Sequence, residues 1–267
     1  MHINYHYLLS KMTASFSPRS PVVLDYGCGG GEIIEAGRKA GLEIYGVDVF
    51  YEGAESRSKI EQTGWLGTVV REVEDGIIPF DDRFFDLVIS NQVLEHVEDL
   101  DSVLQEVRRV LKPGGTFLSL FPTKEIIPEK HCGIPCLHWF PKQSRPRFYY
   151  AVGLRKMGFG YFKGNKSASQ WASDFLEWLD AFTWYRDRKT IYASFGRHFA
   201  ISSIEDDYID YRLNSRGWTL LSSIFRVSFV QPLGCELFRR LGGLVILASK
   251  AGEKSSPDSG SGSSSVK

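Results

Sequence analysis

Apolar and polar positions along the first 121 residues alternate between two rhythms. Short apolar runs at 22–24, 43–47, 67–70, 85–89 and 116–121 have the length and composition of strands. A helix is predicted at 32–39, stopped by Gly41. Val93, Val97, Leu100, Leu104, Val107 and Leu111 recur at intervals of three and four, which predicts one helix along that stretch. Pro113, Gly114 and Gly115 end it. Strands separated by helices imply parallel pairing with right-handed crossovers.

After Pro122 the rhythm changes. Residues 123–170 are rich in Pro, Gly and aromatics without clean periodicity, and 171–199 read as helical. Residues 199–213 read as a strand and 243–249 as another, while 1–20 read as a short helix or arm. The expected architecture is α/β: a Rossmann-like, doubly wound, mostly parallel seven-stranded sheet. A helical and irregular cap is inserted after strand five. One domain spans 1–252, with a ligand-binding half at about 21–121, a cap at about 123–195 and the final strands at about 199–250. The Ser/Gly-rich tail 253–267 is expected to be disordered.

Composition adds little to this. The chain of 267 residues is 43% hydrophobic and 24% charged with zero net charge, ordinary values that disfavour a general nucleic-acid binder, DNA included. Its four cysteines, Cys28, Cys132, Cys136 and Cys235, are too scattered for a disulfide framework. With no apolar run long enough to span a bilayer and no secretory pattern at the start, a cytoplasmic location is expected.

Open parallel sheets bind ligands beyond the carboxyl ends of their strands. Four segments there carry candidate chemistry. In Asp25-Tyr26-Gly27-Cys28-Gly29-Gly30-Gly31-Glu32, glycine at 27, 29 and 31 lets backbone approach a ligand closely. A nicotinamide cofactor would favour glycine or alanine where Glu32 stands, since a glutamate at a helix start repels a pyrophosphate. Asp48, followed by Val49, ends strand two and can accept both hydroxyls of a ribose. Glu74 or Asp75 can accept the exocyclic amine of an adenine, with Ile77 and Ile78 packing on the base. Asn91 and Gln92 directly follow strand four.

Taken in order, VLDYGCGGGE, VDV, DGIIPFDDRFFDLVISNQVLEHV and RRVLKPGG resemble the class I S-adenosylmethionine-dependent methyltransferases, small-molecule branch. The resemblance covers about 21–121. It implies S-adenosyl-L-methionine as cofactor, with the 25–31 loop on the methionine part and Asp48 on the ribose. Glu74 or Asp75 would hold the adenine, and Asn91 and Gln92 would line the methyl-donor pocket. Asp86 and Lys112 to Gly115 are expected to be structural. Asn91-Gln92-Val93-Leu94 replaces the Asn/Asp-Pro-Pro-aromatic motif usual in methyltransferases of nucleobase or amide nitrogens. The segment HCGIPCLHWFPKQSRPRFYY resembles methyltransferases encoded beside bacterial surface-polysaccharide genes, which implies a sugar hydroxyl or anionic glycan precursor as acceptor.

An oxygen acceptor benefits from a general base. His96 is the first candidate, then His131 and His138, then Glu129. His131, Cys132, Cys136 and His138 lack a standard zinc spacing, and no metal is expected there. Lys130, Lys142, Arg145, Arg147, Arg155, Lys156, Lys163 and Lys166 fall between Glu129 and Asp174 with no intervening acid. Such a stretch suits an anionic acceptor or peripheral contact with an acidic membrane. Two other readings stand beside this one: a non-catalytic cofactor-binding subunit, and an RNA methyltransferase using 130–166.

Overall fold

The computed structural model describes residues 2–14, 20–51 and 55–252. The expected disordered tail lies outside them. The strands are β1 (Val22–Tyr26), β2 (Glu43–Asp48), β3 (Val70–Glu72), β4 (Phe85–Asn91), β5 (Leu111–Phe121), β6 (Ala200–Ser203) and β7 (Leu244–Ser249). They form one seven-stranded sheet in the order β3-β2-β1-β4-β5-β7-β6. β1 to β5 run parallel, while β7 pairs antiparallel with both β5 and β6. This is the doubly wound α/β fold expected from the sequence.

Successive residues of the central strands point to opposite faces, and both faces are buried. Leu24, Val88, Phe117 and Phe121 pack on one side against α4 (Leu100–Val110) and α7 (Arg188–His198). Val23, Leu87, Ile89, Leu118 and Leu120 pack on the other. That side carries α1 (Ile3–Ala14), α2 (Glu32–Lys39), α3 (Glu55–Thr63) and α8 (Glu205–Ser215). Burial on both faces explains why the strands read as nearly continuous apolar runs. Asp86 ties the strand ends together: its carboxylate accepts from the Val22 N–H at 2.9 Å and from Lys112 Nζ at 2.8 Å.

The helix expected along 93–111 is two pieces. Leu94–His96 forms a single 3-10 turn, and α4 starts only at Leu100. Asp99 makes the break, because its carboxylate caps α4 by accepting from the Ser102 N–H at 3.1 Å. The apolar spacing continues across the break, so the pattern alone conceals it. β5 begins at Leu111, so Pro113, Gly114 and Gly115 lie inside the strand expected at 116–121, and two further boundaries shift. β3 begins at Val70, where 67–70 was expected, and 199–213 holds a four-residue strand followed by α8. Three acids, Glu205, Asp206 and Asp207, favour that helix start.

The region after β5 has its own small core. α5 (Arg145–Lys156) and α6 (Ala168–Phe182) enclose Cys132, Ile134, Leu137, Ala151, Trp171 and Leu179. Arg186 fastens this layer to the end of β4. Its guanidinium donates to the carbonyls of Val97 at 2.7 Å and Glu98 at 2.5 Å, and the Trp184 N–H donates to Glu95 O at 2.7 Å. Between β6 and β7 the chain also forms α9 (Thr219–Phe225) and α10 (Val230–Leu241). Their outer faces leave Leu220, Phe229, Leu233 and Leu237 more than half exposed.

Candidate functional site

The glycine loop turns directly off β1 and is held by backbone bonds. The N–H groups of Gly27 and Cys28 both donate to Val47 O, at 2.8 and 3.1 Å. Gly27 has φ +79°, and a Cβ there would lie 2.3 Å from a Val93 methyl, so only glycine fits. Gly46 is equally constrained, since a Cβ would lie 2.4 Å from Ile34 and 2.8 Å from the Cys28 sulfur. Asp48 locks loop and strand together. Its Oδ2 accepts from the Gly29 N–H at 2.8 Å and its Oδ1 from the Phe50 N–H at 3.0 Å.

A cavity of about 400 Å³ opens over these ends, bounded by Tyr26, Gly27, Asp48, Val49, Gln92 and Val93. His96 closes it on the β4 side, and Val73, Val97 and Val103 supply apolar wall. Of the expected cofactor residues, Gly27, Asp48, Val49 and Gln92 border it. Asp25, Cys28, Gly29 and Gly31 do not border it. Asp25 is buried, and burial together with the nearby Asp48 and Glu32 carboxylates raises its pKa to about 8. Burial likewise pushes the Cys28 thiol well above its ordinary value.

Glu74 and Asp75 do not border the cavity, although their neighbours Val73 and Gly76 do. Ile77 is exposed and Ile78 lies in the core, and neither borders the cavity. The polar groups at that end are Asp99 and Ser102, which the sequence reading did not single out. Asn91 turns away from this cavity and accepts from Asn4 Nδ2 at 2.7 Å, bordering a neighbouring cavity instead. Gln92, with φ +59°, borders both.

His96 and His131 are brought together from separate segments. The 3-10 turn after β4 holds His96, whose Nδ1 lies 2.6 Å from Phe182 O. A carbonyl only accepts, so that nitrogen carries a hydrogen and Nε2 is left with a lone pair. His131 Nδ1 lies 2.7 Å from Glu129 Oε1, and the two Nε2 atoms face each other at 3.2 Å. Glu129 is fully buried. It also accepts from Tyr185 OH at 2.7 Å and from the Cys132 N–H at 2.7 Å. Burial raises its pKa, but hydrogen bonds and charge from His131, with the bonds from Tyr185 and Cys132, outweigh this and hold it down to about 2. His96 is lowered by burial first; the bond to Phe182 O opposes that and the His131 charge adds to it. Trp178 of α6 lies over both rings, with centroids 6.1 Å from His96 and 5.2 Å from His131.

His138 does not join this pair. It is buried 4.6 Å from the Tyr185 ring, centroid to centroid, and burial lowers its pKa to about 4. A cation site of the kind weighed along 131–138 does not assemble from its cysteines. Instead Glu95, His96 and His131 bring one ligand atom each within 4.8 Å of one another. Glu95 is buried with no hydrogen-bond partner on Oε2. Nothing in the sequence pairs position 96 with 129 and 131.

Comparison with known proteins decides the family. Residues 24–119 match the family model described as a methyltransferase domain. The matched stretch is a methyltransferase domain, and the whole sheet has the class I methyltransferase fold. The cavity fits S-adenosylmethionine: Asp48 offers a carboxylate for ribose hydroxyls, and Val73, Val97 and Val103 offer apolar wall for a base. Over 114 residues the domain is 32% identical to the ubiquinone biosynthesis O-methyltransferase of Vibrio cholerae, covering 42% of this chain and 45% of that protein. The corresponding protein of Yersinia pestis is 31% identical, covering 42% of this chain and 46% of its own length. The match thus spans under half of these relatives. The crystal structure of an S-adenosylmethionine-dependent methyltransferase from Mesorhizobium loti has the same fold. It superposes with a TM-score of 0.52 at 17% identity, covering 91% of this chain and 96% of the other. Among the described residues, no helix is long and apolar enough to cross a membrane.

Proposed function

We propose that the protein transfers a methyl group to a hydroxyl of a small, anionic acceptor, a sugar or glycan precursor being the best fit. The observation that carries this is the facing His96–His131 pair backed by the buried Glu129 carboxylate, beside the donor cavity. The curated relatives named O-methyltransferases are consistent with an oxygen acceptor.

When bound, S-adenosylmethionine supplies a methyl group on a sulfonium, already an activated leaving group. The protein's part is to align the acceptor, exclude water and take a proton. Asp48 accepts the ribose hydroxyls, Val73, Val97 and Val103 hold the base, and Asp99 stands where its amine can be received. Asp25, Gly29 and Gly31 shape the methionine end. The acceptor hydroxyl loses its proton toward the two Nε2 lone pairs, which relieves their mutual repulsion. Glu129 offsets the charge so formed. The exposed apolar face of α9 and α10 suits peripheral contact with a bilayer better than 130–166. Within that stretch Lys142, Arg147, Lys163 and Lys166 are already bonded inside the protein.

A second reading rests on the Glu95, His96 and His131 cluster, whose donor set suits a divalent cation that would acidify the hydroxyl. Chelation separates the two, since the imidazole-pair reading expects turnover to survive it. The primary test is calorimetric titration with S-adenosylhomocysteine for wild type and Asp48→Ala. Binding should be clear and weakened about tenfold or more by loss of a charge-assisted contact. Absence of binding by folded wild type would overturn the reading.

A further inference from the structure

A second cavity, of about 660 Å³, lies across β4 from the donor cleft. Leu120 and Phe121 of β5 and Leu244 and Val245 of β7 border it, together with residues of α1, α8 and α10. Three basic side chains reach it from separate parts of the chain: His2 before α1, Lys130 after β5, and Arg212 on α8. None of its fourteen lining residues is an acid. Among the described residues, neither Lys130 nor Arg212 has an ion-pair partner, whereas eight other arginines of the protein do.

The contrast within the basic stretch 130–166 is informative. Arg147 pairs with Asp180 and Lys166 with Asp174, while Lys142 donates to the carbonyls of Asp180 and Thr183. Lys130 makes no such bond and turns to the cavity. The three groups also sense one another. Burial and the Arg212 charge lower the pKa of both His2 and Lys130. Converging cations without a counter-charge are unfavourable unless an anion completes them.

We propose that His2, Lys130 and Arg212 form an oxyanion subsite that takes a phosphoryl or carboxylate group of the acceptor. In its role for the acceptor this rests on the methyl-transfer reading. The arrangement around the subsite supports that role. Gln92 separates it from the donor cleft. Lys130 also borders a third cavity, of about 600 Å³, lined by His131, Tyr161, Trp171 and Trp178. A ring stacked on those aromatics would thus lie between a charged group at Lys130 and a hydroxyl at the imidazole pair. A guanidinium fork with an ammonium is the usual protein partner for such oxyanions.

The test titrates the full chain with pyrophosphate, inorganic phosphate and malonate, and separately with S-adenosylhomocysteine. It compares wild type with Lys130→Ala and Arg212→Ala. Both side chains point into a cavity, so thermal melts should confirm that the variants fold. Each substitution should weaken anion binding about tenfold or more, with S-adenosylhomocysteine affinity held within about twofold, as loss of one charge-assisted contact in a separate subsite implies. Preference for pyrophosphate over malonate assigns a phosphoryl group, and the reverse a carboxylate; either supports the subsite. Wild type that binds none of the anions, or anion binding untouched by Arg212→Ala, overturns it. Loss of S-adenosylhomocysteine affinity in Arg212→Ala would also overturn it, making the cluster a clamp for the donor carboxylate. Wild type that binds anions but not S-adenosylhomocysteine would sink the methyl-transfer reading and leave the anion site standing.

Discussion

His96 Nε2 and His131 Nε2 face each other at 3.2 Å, and the opposite nitrogen of each ring is turned toward an oxygen. Two neutral rings so arranged present lone pair to lone pair. One added proton converts that repulsion into a hydrogen bond, so the pair titrates as a unit. Burial, and after it the His131 charge, lowers the His96 pKa. His131→Gln removes that charge and leaves the Glu129 carboxylate without its imidazole partner. Both changes favour protonated His96, whose pKa should rise toward the ordinary value of about 6.5. Nitrogen-detected NMR titration of the ring checks this. An unchanged or lowered value would show that the two rings are not coupled.

Glu95 is buried, its Oε2 lacks a hydrogen-bond partner, and burial raises its pKa to about 8, with the Glu129 charge adding to the rise. The folded protein therefore holds a proton that the unfolded chain releases near pH 4.5, and stability falls as pH rises from there to about 8. Glu95→Gln removes this dependence. Relative to wild type it should gain about 1–3 kcal/mol between pH 5.5 and 8.0, an amount set by one shifted carboxyl. Denaturant melts at the two pH values measure it, and a difference that does not grow with pH would refute the assignment.

Arg186 joins the cap to the sheet through the Val97 and Glu98 carbonyls. Arg186→Ala leaves both without their donor and should cost about 1–3 kcal/mol, the range for hydrogen bonds to a charged group. Because the cap places Phe182 O against His96, faster amide exchange should appear at 94–98 and 182–186 together. Exchange confined to one of these segments would show that Arg186 does not couple them.

The sheet was legible because each strand end carries its own local signal: a glycine run after β1, an acid ending β2, and Pro113-Gly114-Gly115 within β5. The helices between β6 and β7 were not. Ile201 and Ile204 flank a strand and then a helix, and their spacing alone does not separate the two. In the site, Gly27 and Asp48 announce themselves through short-range turn chemistry. The His96–His131–Glu129 chain depends on a cap contact between distant segments. Asp99 was hidden for another reason, since its apolar neighbours continue a helical spacing across the break that it caps.

The donor cleft also depends on a steric relation between Gly27 and Val93. A methyl at 27 would meet Val93 Cγ2 at 2.3 Å, and the φ of +79° is itself unfavourable for alanine. Gly27→Ala should therefore destabilise the protein by about 2–4 kcal/mol, combining overpacking with left-handed strain. Val93→Ala removes the clashing methyls but not the backbone strain. The double variant should recover part of the loss, about 1–2 kcal/mol, as a positive coupling in a double-mutant cycle. Full additivity would mean that the loop moves away from Val93 and that glycine is required there by φ alone. Recovery of S-adenosylhomocysteine binding along with stability would tie the cleft's shape to this contact.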